Sequence, residues 1–156
     1  MGQSIVLAVP KAWDFASLAE CLDLKDLDKV YAISGDSNYL RISTPTGGWA
    51  QTDNPADKDL NHDNDYRVDY ETNDYLCKDF RKDVAGLRFF SFRFNDISLM
   101  RRVLVCVMRQ TVAHNEIGWI DTDYGWVVSA REFLHKVEQE PNWDWRTSPE
   151  EDQIEE

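Results

Sequence analysis

The chain has 156 residues, of which 42% are hydrophobic, enough for one domain with an apolar core, and this argues against wholesale disorder. It holds 29 Asp and Glu against 17 Lys and Arg, and the resulting net charge of -12 disfavours binding to nucleic acid or to anionic membranes. The same charge favours a basic protein partner, whose approach an acidic surface accelerates.

The first fifteen residues, MGQSIVLAVPKAWDF, lack the basic segment and long apolar run of a secretory signal. No stretch approaches the length of a membrane span, so we expect a cytoplasmic protein. The three cysteines, Cys21, Cys77 and Cys106, are far apart, odd in number and set in apolar-periodic stretches. This pattern is typical of reduced, buried thiols rather than of a disulfide framework.

Short apolar stretches bounded by Gly or Pro predict strands in the amino-terminal part of the chain. These strands cover residues 4–9, 29–34, 39–43 and 48–52. Between the first two, apolar residues recur at helical spacing and predict a helix over 12–22. The segment that follows begins at Asn54 with Asn-Pro and has no helical stripe, so we predict a loop for its first half.

Helical spacing returns from Glu71 to about Val84, and Gly86 is a natural end for that helix. The stretch LRFFSFRF, residues 87–94, predicts a strand with Phe90, Phe92 and Phe94 on one face. Its other face carries Phe89, Ser91 and Arg93.

Asn95 is the predicted cap of a helix over residues 96–110, whose apolar side chains share one face. EIGWI and WVV, residues 116–120 and 126–128, predict a hairpin whose loop contains Gly125. Ser129 and Glu132 form a Ser-x-x-Glu capping box that opens a last helix, which Pro141 ends.

This order of elements predicts an α+β fold: a mostly antiparallel sheet with about four helices packed on it. No internal linker divides the chain, so we predict a single domain over residues 1–146. Residues 147–156 contain five acids and no base, which predicts an acidic, disordered tail.

The segment from Asn54 to Glu71 is the most acidic internal stretch, with acids at many alternate positions. An EF-hand loop would need Gly at its sixth position and Glu at its twelfth. Counting from Asp57 places His62 and Val68 there, and counting from Asp59 places Tyr70 at the twelfth position. The favoured interpretations of this segment are therefore a solvated acidic loop and a partner-binding surface. An irregular calcium site is the alternative.

Charge is also uneven elsewhere, because residues 78–109 carry eight Lys and Arg against three Asp. The two oppositely charged regions either neutralise each other within the fold or produce one strongly acidic face.

Recognisable catalytic machinery is missing from the sequence. None of the HExxH, Cys-x-x-Cys or nucleophile-elbow spacings occurs, and no Gly-rich phosphate loop is present. We therefore predict no metal and no cofactor. A Cys-His pair brought together by folding, such as Cys106 with His114, stays open as the basis of a small enzyme.

The chain has six Trp, and two of them, Trp143 and Trp145, follow the last predicted helix in PNWDWR. Either they fold back and hold the carboxyl-terminal segment to the domain, or they form exposed anchors of a protein interface. Tyr66 and Tyr70 of the acidic segment allow the same second interpretation.

The stretches WIDTDYGWVVSAREFLHKVEQEPNWDWR and GGWAQTDN resemble the pattern of small acidic bacterial proteins encoded beside polymorphic toxins. The resemblance, to their immunity proteins, covers about a third of the chain and rests on motifs of structural character. It implies a compact, non-catalytic protein that blocks a basic partner, and it assigns no site residue.

The sequence therefore predicts an immunity protein that binds and occludes a cognate toxin domain, with neither nucleic acid nor a membrane as partner. The alternatives are a small cytosolic enzyme using Cys or His chemistry and a calcium-responsive binding module. The predicted contact residues are acids that steer a basic partner and aromatic rings that anchor it: Asp57, Asp59, Asp63, Asp65, Tyr66, Asp69, Tyr70, Glu71, Trp143 and Trp145.

Overall fold

The computed structural model describes residues 3–13, 15–22, 28–32, 39–52, 68–73, 76–122, 127–141 and 143. The strands within these ranges are β1 Gln3–Pro10, β2 Asp28–Ala32, β3 Tyr39–Ser43, β4 Trp49–Thr52, β5 Leu87–Phe94, β6 Trp119–Asp121 and β7 Val127–Ser129. The helices are α1 Phe15–Cys21, α2 Lys78–Asp83, α3 Ile97–Ala113 and α4 Ala130–Gln139. A helical turn at residues 68–71 and a 3₁₀ turn at Val84–Gly86 complete the described elements.

The strands form one sheet in the order β2-β3-β4-β5-β1-β6-β7, and every neighbouring pair is antiparallel. The longest pairing joins β1 to β5, from Gln3 opposite Phe94 to Pro10 opposite Leu87. The α+β class, the antiparallel sheet and the single domain are thereby confirmed. Strand β5 has the bounds that the alternation of its phenylalanines predicts.

Both faces of the sheet carry apolar clusters, as the two-sided pattern of β5 requires. The first face holds Phe90, Phe92 and Phe94, which join the main core under α1, α3 and α4. The second face holds Phe89, which joins a smaller cluster with Phe80, Val84 and Trp119. Because successive side chains of a strand point to opposite faces, one strand supplies both clusters.

The start of α3 differs from the prediction by one residue. Asp96, not Asn95, is the cap: its Oδ1 accepts a hydrogen bond from the Leu99 amide at 3.0 Å. The Asn95 side chain is engaged elsewhere, because its Oδ1 accepts from the Trp49 amide at 2.8 Å. A long-range contact with the β3–β4 hairpin therefore removes Asn95 from the capping role.

The helix predicted from Glu71 to Val84 is wrong in its first half. Residues 68–71 form a separate turn, and α2 begins only at Lys78. Turn-type hydrogen bonds follow Tyr70, from the Asn73 amide to its carbonyl at 3.3 Å and from the Leu76 amide to the Asn73 carbonyl at 3.2 Å. The break lets Tyr70 and Phe80 reach the second face of the sheet from two separate elements.

The last helix agrees with its capping box. The Ser129 Oγ accepts from the Glu132 amide at 3.2 Å, and α4 ends at Gln139, just before Pro141. The hairpin loop residue Gly125 and the predicted tail over 147–156 lie outside the described residues. In the part of the chain that the structure describes, no helix combines the length and apolarity needed to span a membrane.

Candidate functional site

The predicted contact residues divide into those that the structure places and those that it does not. Asp57, Asp59, Asp63, Asp65, Tyr66 and Trp145 lie outside the described residues. Asp69, Tyr70 and Glu71 share the turn at 68–71, and Trp143 lies just beyond α4. The calcium alternative rests largely on the first group.

Tyr70 is the inward-facing residue of its turn. Its side chain is only 7% exposed, and its hydroxyl donates to the Asp121 Oδ2 at 2.7 Å. Its ring lies 4.9 Å from that of Phe80 in an edge-on arrangement and 5.4 Å from that of Phe89. Tyr70 therefore attaches the end of the acidic segment to the second face of the sheet, and its buried ring offers a partner little surface.

The neighbours of Tyr70 remain at the surface. Asp69 is exposed, Glu71 is half-buried, and Val68 is 45% exposed. The Thr72 hydroxyl donates to the Val68 carbonyl at 2.8 Å and closes the turn. Burial of the Tyr70 ring thus leaves a surface that is acidic with one apolar residue.

The other end of the acidic segment is also attached to the sheet. Thr52, the last residue of β4, is 3% exposed, and its Oγ1 accepts from the Leu40 amide at 2.9 Å. It lies opposite Phe92 of β5. The acids between Thr52 and Val68 are therefore tied to this domain at both ends of their segment.

Trp143 takes the stabilising role that the sequence left open. It is 6% exposed, and its ring centroid lies 6.0 Å from that of Phe133 on α4. The Lys136 ammonium lies 5.9 Å from the same indole, and the Trp143 amide donates to the Glu140 carbonyl at 2.9 Å. Trp143 thus holds the segment after α4 against the main core.

Two arginines of the basic region 78–109 make structural contacts. The Arg88 guanidinium donates to the Trp13 carbonyl at 2.9 Å, and that of Arg101 donates to the Pro141 carbonyl at 2.6 Å. Both bonds join residues that are far apart in sequence. Through these two bonds the basic region stabilises loop ends.

Sequence reasoning missed a cavity of about 390 Å³ that is open to solvent between α1 and the end of α3. Its lining combines carboxylates with an imidazole, a thiol, an amide, a hydroxyl and an indole: Trp13, Ser17, Glu20, Cys21, Gln110, His114 and Glu116. Helical spacing places the α1 residues on one face and the α3 residues on another. Nothing in the sequence indicates that these two faces meet.

The cavity bears directly on the Cys-His alternative. Cys106 and His114 are eight residues apart along α3 and its cap, a rise of roughly 12 Å, beyond hydrogen-bonding reach. Cys21, rather than Cys106, shares the cavity with His114. Burial, with the nearby Cys106 and Glu20, raises the pKa of the Cys21 thiol to about 11, so it stays protonated at neutral pH.

A protonated thiol is a poor nucleophile, and Cys21 therefore lacks the activation that covalent catalysis needs. Among the described residues, no group of three or more His, Cys, Asp or Glu side chains is arranged to hold a metal ion. Within the part of the chain that the structure describes, the pair named for the enzyme alternative, Cys106 with His114, is not formed.

Comparison of the chain with protein-family models, with curated proteins and with solved structures gave no match. Its function is therefore argued from its own residues.

Proposed function

We propose that this chain is a cytoplasmic immunity protein that binds and occludes a cognate bacterial toxin domain through the acidic surface of residues 54–71. The observation that carries the proposal is the attachment of this segment at both ends, through Thr52 and Tyr70. At the described end of the segment, Asp69 is exposed and Glu71 is half-buried at the surface of the domain.

An attached acidic surface suits an inhibitor for two physical reasons. Long-range attraction raises the rate at which a basic partner arrives, and the effect weakens as salt screens it. Toxins that act on nucleic acid or nucleotides carry basic clefts, and carboxylates occupy such clefts in place of phosphates. The net charge of -12 and the resemblance to immunity proteins support the same function.

Placement of the aromatic residues modifies the expected interface. Tyr70 and Trp143 are buried, so we assign them to stability rather than to contact. Asp69, Glu71 and Val68 are the described residues that we assign to the contact surface. Tyr66 and Trp145, outside the described residues, remain the proposed aromatic anchors.

The first test looks for the partner and for protection together. Products of the neighbouring genes are expressed one at a time in a sensitive host, with and without this chain. The proposal expects one product that stops growth alone, is tolerated with this chain, and forms an equimolar complex with it. If no neighbouring product is both toxic and neutralised, the immunity function is wrong.

The second test locates the interface on that partner. The pair Asp63→Lys and Asp65→Lys is compared with Glu20→Lys and Glu138→Lys, a control pair of equal charge change at exposed positions of α1 and α4. We expect the association rate constant to fall on the order of tenfold for the first pair and much less for the control. The difference should shrink as salt rises, while both melting temperatures stay close to that of the parent.

An equal fall of the association rate constant for both pairs would mean that the net charge of the protein, and not the position of the acids, determines the rate. No slowing by the first pair would remove the acidic segment from the interface.

A further inference from the structure

Two cysteines lie on the two helices that border the open cavity. Cys21 is the last residue of α1, and Cys106 lies in the middle of α3. Both side chains are half-buried, and both pack against the main core cluster. The fold therefore places one thiol from each of two distant parts of the chain beside the same core.

Helices α1 and α3 run in opposite directions beside each other. The Trp13 indole, just before α1, donates to the Glu116 carboxylate, just beyond α3, at 3.4 Å. At the other end of α1, Cys21 lines the open cavity together with Gln110 of α3. The start of α1 thus lies beside the end of α3, and Cys21 lies beside an earlier turn of α3.

Cys106 lies on the flank of α3 that faces α1. Residues 106, 110 and 114 follow one another at intervals of four, which places them on one side of the helix. Gln110 and His114 of that side line the cavity together with residues of α1. Of the nearby groups that raise the pKa of Cys21, Cys106 has a larger effect than Glu20, its neighbour in the chain. The two thiols are therefore close to each other across the α1–α3 contact.

The spacing of packed helices suits a covalent bond between two such positions. Axes of packed helices lie about 8–10 Å apart and Cα atoms lie about 2.3 Å from each axis, which leaves about 3–5 Å between directly facing Cα atoms. A disulfide joins residues whose Cα atoms lie about 4.4–6.8 Å apart. Because α1 packs on α3, a bond between Cys21 and Cys106 is compatible with the fold as it stands.

We propose that Cys21 and Cys106 form a reversible intramolecular disulfide when the protein is exposed to a hydroperoxide. With hydrogen peroxide, one sulfur attacks a peroxide oxygen, the O–O bond breaks, and a sulfenic acid and one water form. The other sulfur then attacks the first, the S–O bond breaks, and a second water leaves as the S–S bond forms. The two thiols together lose two hydrogen atoms and two electrons to the peroxide.

Burial of Cys21 affects the rate of this reaction. The raised pKa of Cys21 makes its thiolate scarce at neutral pH, so its attack on a reagent in solution is slow. A neighbouring sulfur is present at a much higher effective concentration, which favours the second, intramolecular step. We therefore expect the bridge to form faster as pH rises from 7 to 9.

The direct test treats the whole parent chain with hydrogen peroxide and maps its peptides without reduction. We expect a linked peptide pair that contains Cys21 and Cys106, lighter by two hydrogen atoms than its two parts together, and recovery of both thiols with dithiothreitol. The bridge closes a loop of about 85 residues, so it should raise the melting temperature by about 5–15 °C. Oxidation that never yields this pair, or a bridge that lowers the melting temperature, would overturn the proposal.

Three matched variants leave the same number of thiols in different pairs. Cys77→Ser retains Cys21 and Cys106, whereas Cys21→Ser and Cys106→Ser each retain the exposed Cys77 with one member of the pair. We expect an intramolecular bridge in Cys77→Ser alone, while the other two variants gain oxygen or form dimers through Cys77. An equal yield of intramolecular bridges in all three would show that oxidation depends on thiol number and not on position, and would overturn the site.

The disulfide does not depend on the immunity function. Neither cysteine belongs to residues 54–71, so the test needs no toxin and its result leaves the toxin experiments unaffected. Failure of either proposal is therefore visible independently of the other.

Discussion

Cys21 and Tyr70 each lie in surroundings that set the chemical state of the side chain. Burial, together with the nearby Cys106 and Glu20, keeps the Cys21 thiol protonated at neutral pH. Apolar rings and the Asp121 carboxylate hold the Tyr70 hydroxyl in one orientation. Both are reactive or polar residue types that the fold uses for packing, which explains why residue type alone is a weak guide to function here.

The raised pKa of Cys21 predicts slow alkylation. A shift from 9.0 to about 11 lowers the thiolate fraction about 100-fold at neutral pH, so Cys21 should react with iodoacetamide far more slowly than the exposed Cys77. Mass spectrometry of peptides taken at intervals measures both rates. The Cys21 rate should keep rising up to about pH 11, and comparable rates at pH 7.5 would contradict the raised pKa.

The raised pKa of Cys21 also determines how the free energy of unfolding changes with pH. A thiol whose folded pKa lies above its unfolded value contributes stability that is fully present below about pH 9 and is lost as pH rises toward 11. Replacing Cys21 by Ser should therefore flatten the fall of stability across that alkaline window.

At the scale of elements, the start of α3 is tied to the β3–β4 hairpin. A Cβ placed on Gly48 would lie 2.5 Å from the Asp96 Oδ2 and 3.0 Å from the Asp96 Cβ, so any other residue at this position would have to displace the capping side chain. Asn95 bonds the Trp49 amide from the adjacent position. The amino-terminal cap of α3 and the β3–β4 hairpin therefore pack directly on each other. The sequence of the helix alone does not predict this contact.

Asp96→Ala tests this cap. Loss of the bond from the Leu99 amide should lower the free energy of unfolding by about 1 kcal/mol, since the amide then has no side-chain acceptor. Urea unfolding measures the change, and Ser98→Ala, at an exposed position in the same first turn, is the control. Equal effects of the two substitutions would argue against Asp96 as the cap.

At the scale of the whole molecule, two opposing contributions set the stability of the fold. Burial of apolar side chains on both faces of the sheet stabilises it, and the excess of negative charge destabilises it. The sheet buries one large cluster under three helices and a smaller one under α2 and the turn at 68–71. Against this burial stands the mutual repulsion of a chain with a net charge of -12.

This balance predicts that salt stabilises the fold. Raising NaCl from about 10 mM to about 300 mM shortens the screening length severalfold and should raise the melting temperature by a few degrees. Thermal unfolding followed by circular dichroism gives the value, and added sucrose at equal osmolality controls for solvent exclusion. A melting temperature that falls with salt would mean that attractive ion pairs outweigh the repulsion.

Prediction from the sequence succeeded where the signal is local. Alternation of phenylalanines located β5 and assigned its faces, and the Ser-x-x-Glu spacing located the start of α4. It failed where a distant group competes for a side chain. The Asn95 side chain bonds the Trp49 amide instead of capping α3, and the expected helix from Glu71 is replaced by a turn at 68–71, from which Tyr70 bonds Asp121, and by α2, which begins at Lys78.

The amino-acid sequence by itself determined the α+β class, the antiparallel character of the sheet, the net charge and the acidic segment. These follow from composition, from hydrophobic periodicity and from hydrogen bonds between near neighbours, all of which can be read within a few residues. Only the tertiary structure decided that Tyr70 and Trp143 are buried, and that Trp13, Cys21, His114 and two glutamates line one open cavity. Such groupings depend on which helix faces and strand ends meet in space, and contacts between distant residues carry no local pattern that announces them.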